Sequence, residues 1–146
     1  MSPATHIVSH RSVNGIAFGF SEEEIHQVLG QPENVQRNYT GEIEYLYTDE
    51  IYRCFDDQLV ECTVPDTGRF TINGIEVLSV FEWLTGCDDV TDRAKFRIST
   101  SCGIAYDFRD PKNGSITVFA KGRWDALLLP NAGNPMIGFN KPVNGL

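Results

Sequence analysis

The sequence predicts an α+β protein of two tandem helix-plus-antiparallel-sheet units, and three observations lead there. A capped amphipathic segment at 21–29 stops at Gly30 and Pro32, the following residues change from a helical period to a period of two, and the same order of segments recurs in the second half. The expected divisions are 1–68 for the first unit, 69–130 for the second and 131–146 for an irregular tail with two prolines and three glycines. A chain of 146 residues that is 41% apolar can bury one real core, or two halves that share one.

The helix at 21–29 is justified end by end. Ser21 and Glu24 form a capping box, in which the hydroxyl accepts the Glu24 N–H and the Glu24 carboxylate accepts the Ser21 N–H. Glu22, Glu23 and Glu24 suit the positive end of the helix dipole. Ile25, Val28 and Leu29 supply an apolar stripe, Gly30 can adopt the left-handed C′ conformation, and Pro32 blocks continuation. So short a helix needs a surface to pack on.

Strands are expected at about 34–39, 42–47, 51–55 and 58–64, separated by Thr40-Gly41, Thr48-Asp49-Glu50 and Asp56-Asp57. A two-residue turn at Asp56-Asp57 opposes Phe55 to Gln58, Cys54 to Leu59, Arg53 to Val60 and Tyr52 to Glu61. A three-residue loop at 48–50 opposes Tyr47 to Ile51, Tyr45 to Arg53 and Ile43 to Phe55. One face then carries Ile43, Tyr45, Tyr47, Ile51, Phe55, Val60 and Cys62, and the helix packs there. The other carries Glu42, Glu44, Leu46, Tyr52, Cys54, Leu59, Glu61 and Thr63 and stays open.

Asn14-Gly15-Ile16 recurs as Asn73-Gly74-Ile75, 59 residues later. A short helix is expected at 79–85, before Gly86, and strands at about 95–100, 103–108 and 115–120. Asn-Gly is a common turn, so the repeat rests on the order of elements. Trp124 is expected to anchor a terminal segment on the second sheet.

Net charge is −8 and unevenly placed. Residues 1–72 hold twelve acidic residues against four arginines and no lysine, and residues 73–146 hold eight of each sign. Nucleic acid is thereby disfavoured as a partner, because phosphate binding needs a basic surface, and a basic partner is favoured. No apolar run reaches the 18 or so residues of a membrane span, and the N-terminus lacks the pattern of a signal peptide. A cytoplasmic location without membrane contact is expected. Cys54, Cys62, Cys87 and Cys102 have no zinc-finger or Cys-x-x-Cys spacing and read as thiols of a reducing compartment.

Catalytic patterns are weak. His6 and His10 are spaced like a helical metal pair, but HIVSH is short and β-branched, so no metal or other cofactor is expected. His26 reads as a surface residue of the helix, and Asp56-Asp57 as turn chemistry. Cys102 before Gly103 is a nucleophile only if a distant histidine reaches it.

The phrase G-I-x-F-G-x-S-x-x-E-[apolar]-x-x-x-L-G-x-P from Gly15 to Pro32, followed by a Tyr-rich hairpin and Phe55-Asp56-Asp57-Gln58-Leu59, resembles the helix-plus-four-strand unit of the beta-lactamase inhibitor protein-like superfamily. More narrowly, residues 14–64 are similar to cytoplasmic immunity proteins of bacterial polymorphic toxin systems built on that unit. The resemblance implies an inhibitor, not an enzyme, whose cognate toxin acts in the cytoplasm, and the acidic face implies that this toxin is basic. The open sheet face would cover the toxin's active site or substrate groove, with Glu42, Glu44, Tyr52 and Glu61 from the first half and Arg97, Asp107 and Phe119 from the second. An effector chaperone or adaptor is the alternative, and a small enzyme using Cys102 a weaker one.

Overall fold

A computed structural model describes residues 4–125. Their strands are β1 (Thr5–Val8), β2 (Ser12–Val13), β3 (Ile16–Ala17), β4 (Asn34–Arg37), β5 (Ile43–Leu46), β6 (Ile51–Phe55), β7 (Gln58–Pro65), β8 (Phe70–Ile72), β9 (Ile75–Val77), β10 (Thr91–Arg93), β11 (Phe96–Ser99), β12 (Ile104–Asp107) and β13 (Ser115–Phe119). The helices are α1 (Glu22–Leu29) and α2 (Val80–Thr85).

The expected α+β pair of tandem units is overturned, because the protein is mostly β and its halves are joined by strand pairing. The meander β4–β7 and the meander β10–β13 fuse through antiparallel pairing of β7 with β13, which gives an eight-stranded sheet in the order β10-β11-β12-β13-β7-β6-β5-β4. A five-stranded sheet, β3-β2-β1-β8-β9, is closed by parallel pairing of β1 with β8. Helices of eight and six residues are too short to form a layer of their own. The division expected at residue 68 falls between β7 and β8, and both long-range pairings cross it. The expected tail, 131–146, lies outside the described residues.

The Asn-Gly-Ile repeat has a different meaning from the one its position suggests. Both copies are two-residue hairpin turns in the small sheet, one joining β2 to β3 and one joining β8 to β9. In each copy the Asn has φ of 52°, with Gly15 at 82° and Gly74 at 85°, so each turn twists with its strands.

One core lies between the sheets. Ile7, Val13, Ile16, Phe70 and Ile72 of the small sheet pack with Ile25 of α1, Val80 and Leu84 of α2, and Tyr45, Tyr52, Cys62, Ile104, Ile116 and Val118 of the large sheet. A second cluster, Phe96, Ile98, Ala105, Phe119 and Trp124, covers part of the opposite face. Trp124 stacks on Phe119 with ring centroids 4.8 Å apart, the anchoring role its sequence position suggests.

The helix ends follow the sequence closely. Ser21 Oγ accepts the Glu24 N–H at 3.2 Å and Glu24 Oε1 accepts the Ser21 N–H at 2.9 Å, while Gly30 ends the helix with φ of 81° and ψ of −164°, a positive-φ extended conformation in place of the left-handed helical one expected. Val28, placed on the apolar stripe by its spacing, is 59% exposed, because this short helix buries only Ile25 fully. Ser21→Ala is expected to cost about 1 kcal/mol in urea denaturation, since the Glu24 N–H loses its acceptor. An unchanged denaturation midpoint would show that the cap does not hold the helix.

Candidate functional site

The open face expected from sequence is divided by the observed register. Leu46 opposes Ile51, Tyr45 opposes Tyr52 and Glu44 opposes Arg53, so the loop is the four residues 47–50, closed by the Tyr47 N–H on the Glu50 carbonyl at 2.9 Å. The Asp56-Asp57 turn is the two-residue turn expected, with φ of 55° and 57°. A bulge then inserts Val60, so that Tyr52 opposes Cys62 and Arg53 opposes Glu61. Both shifts have one physical consequence: Tyr45 and Tyr52 turn together toward α1 and the core, while Glu44, Arg53 and Glu61 gather on the opposite face.

Tyr52 is therefore a core residue with no exposed surface, its hydroxyl donating to Glu50 Oε1 at 2.8 Å. Arg97 shares that core-side face, stacked over Phe81 at 4.0 Å and paired with Asp92 at 2.8 Å. Glu42, Glu44, Glu61, Asp107 and Phe119 lie on the other face, as expected. That face is not open at these positions. Glu42 is 1% and Glu61 2% exposed, Glu44 and Phe119 are buried, and Asp107 is half-buried in a two-oxygen contact with Arg109.

Arg53 organises the buried carboxylates. Its Nε donates to Glu44 Oε2 at 2.7 Å, and its Nη1 donates to Glu61 Oε2 at 3.2 Å and Thr63 Oγ1 at 2.7 Å. Gln36 and Asn38 donate to Glu44 at 2.6 and 3.3 Å, Asn38 also donates to Glu42 at 2.8 Å, and Trp124 Nε1 donates to Glu61 Oε1 at 3.0 Å. Arg123 pairs with Glu42. Burial alone would raise the Glu44 pKa, but the bonds from Gln36, Arg53 and Asn38 outweigh it and hold the group below its ordinary value. For Glu61 burial dominates, reinforced by Glu42, and its pKa is raised despite Arg53. The network's hydrogen-bonding capacity is turned inward, so its chemistry is structural.

Sequence reasoning passed over Arg53. The signal was present, since Arg53 is the only basic residue between Arg37 and Arg69 and lies among eight acidic ones. A lone cation in such a stretch is a natural centre for a buried network.

The acidic surplus that reaches solvent lies elsewhere. Glu22, Glu23 and Glu24 of α1 and Asp56 and Asp57 at the β6–β7 turn are all exposed, and Asp57 Oδ1 accepts the Glu22 N–H at 3.0 Å, so helix start and hairpin tip form one acidic surface. An open depression of about 450 Å³ runs beside it, lined by Glu22, Glu23, His26, Gln27 and Gln31. Val28 of α1 is exposed beside it, Val35 lies on the edge strand β4 and Tyr39 beyond it at 82% exposure, whereas Phe55 is on the sheet face of Arg53, with Arg123 over its ring at 5.2 Å. His26 is less a surface residue than expected, its ring set edge-on to Tyr45 at 5.5 Å.

The expected catalytic candidates have separate partners. His6 Nδ1 lies 2.7 Å from Thr71 Oγ1, and His10 Nε2 lies 2.9 Å from the Ser101 carbonyl. Cys102 Sγ lies 3.8 Å from Cys87 Sγ. No helix among the described residues is long and apolar enough to cross a membrane. Searches of protein-family models, curated proteins and solved structures return no match to the chain.

Proposed function

We propose that the protein is a stoichiometric inhibitor, an immunity protein that binds a basic, cytoplasm-acting toxin and covers its active site or substrate groove. The observation that carries this reading is the acidic surface formed by α1 and the Asp56-Asp57 turn, with Val28 exposed on α1. Carboxylates there can occupy a cationic groove built for an anionic substrate. Their field raises the association rate, and exposed Val28 supplies apolar contact area. The similarity of residues 14–64 to immunity proteins supports the same reading, and a cytoplasmic location goes with it. The contact surface in this proposal is α1 and the hairpin tip, displaced from the sheet face carrying Glu42, Glu44 and Glu61.

The test is co-expression with the toxin domain encoded beside the gene, followed by stopped-flow binding. Protection from killing and a one-to-one complex are expected. Glu22→Lys with Glu23→Lys and Asp56→Asn should slow association roughly tenfold at low salt, an effect that fades as salt screens the field. Asn is chosen at 56 because that residue has positive φ, which Asn tolerates. A rate indifferent to both salt and these substitutions would remove this surface from the interface. Tight binding without protection would indicate an effector chaperone.

A further inference from the structure

Two of the four cysteines are brought together by elements that no local pattern connects. Cys87 follows Gly86 at the end of α2, Cys102 lies in the turn between β11 and β12, and their sulfurs are 3.8 Å apart across a span of 15 residues. Both are half-buried, whereas Cys54 and Cys62 are fully buried in the core.

The juxtaposition is held by a polar clamp independent of the sulfurs. Asp89, two residues after Cys87, accepts from Ser99 Oγ at 2.7 Å, Thr100 Oγ1 at 3.1 Å, the Ser101 N–H at 2.8 Å and Ser101 Oγ at 2.9 Å. Burial works against its ionisation, but these bonds outweigh it and lower its pKa to about 2, so the clamp is ionised at neutral pH. His10 reaches the same turn through the Ser101 carbonyl. A disulfide needs the sulfurs about 2 Å apart, so the pair at 3.8 Å must close by roughly 2 Å.

We propose that Cys87 and Cys102 form a reversible intramolecular disulfide that ties the end of α2 to the β11–β12 turn. The oxidant is a small disulfide of the glutathione class. Cys102, as its thiolate, attacks one sulfur of that disulfide and expels one small thiolate; Cys87, after losing its own proton to solvent, attacks the Cys102 sulfur and expels the other. Two protein thiols are oxidised and one small disulfide is reduced to two thiols. Burial, with the nearby Cys102, raises the Cys87 pKa to about 11, so the second attack relies on the 3.8 Å juxtaposition of the sulfurs and not on a populated thiolate.

The test treats the whole protein with oxidised glutathione and reads intact mass, a peptide map and thermal unfolding. The wild type is expected to lose two hydrogens, to yield a cross-linked Cys87–Cys102 peptide, and to gain roughly 10 °C in Tm over its dithiothreitol-reduced form. Cys87→Ser should instead retain glutathione on Cys102. A wild type that retains glutathione adducts, that keeps both thiols free, or that cross-links through Cys54 or Cys62 overturns the proposal, and these readings hold even if the variant fails to fold.

Discussion

Arg53→Met is expected to destabilise the protein by about 3–5 kcal/mol at pH 7, because it removes the cation that Glu44 and Glu61 share and leaves both carboxylates buried without it. The loss should depend on pH in a defined direction. Glu44, with its lowered pKa, contributes stability that is present above the ordinary carboxylate value and fades as pH falls through its folded value. Glu61, with its raised pKa, contributes in the opposite sense, its stability being full in acid and lost as pH rises through its folded value. In the variant both groups lose the attraction that favours ionisation, so the deficit relative to wild type should shrink between pH 7 and pH 4. Adding Glu44→Gln and Glu61→Gln should recover part of it at pH 7. Urea denaturation at the two pH values checks this, and a deficit below about 1 kcal/mol at pH 7 would mean that Arg53 does not hold the network.

Tyr52→Ala is the second large effect, expected to cost about 3–5 kcal/mol, since the whole ring is buried and packs edge-on to Tyr47 at 5.7 Å. Tyr52→Phe keeps the ring and removes only the hydroxyl bond to Glu50, for a cost of about 1 kcal/mol. With total stability of only about 5–15 kcal/mol for a domain this size, the alanine variant should be partly unfolded near physiological temperature. An alanine variant as stable as the phenylalanine variant would place Tyr52 outside the core.

These residues show where sequence reading succeeds and where it stops. The Ser21 cap, the Gly30 stop and the Asp56-Asp57 turn are encoded by residues that touch their neighbours in sequence, and each is found where the chemistry puts it. Alternation identifies β5, β6 and β7 but cannot distinguish two registers one residue apart. The choice is made across strands, by one arginine facing two glutamates and one tyrosine facing another. The cross-strand partner expected of Glu61, Tyr52, is replaced by Arg53 for the same reason. The small sheet left almost no local signal, because β2 and β3 are two residues long and β8 and β9 three. The fusion of the two meanders depends on β7 meeting β13, which no window of the sequence contains.

That same pairing has a consequence during synthesis. β7 is complete at Pro65, but its partner strand ends only at Phe119. While the intervening chain is being made, the eight-residue β7 presents a bare hydrogen-bonding edge, with Cys62 and Val64 among its side chains, to any other nascent chain nearby. Closing it also requires a long loop to find its end, which slows folding relative to a protein of local contacts. The vulnerable period is therefore the translation of the second meander, and aggregation should respond to the rate of elongation there more than to the stability of the finished fold.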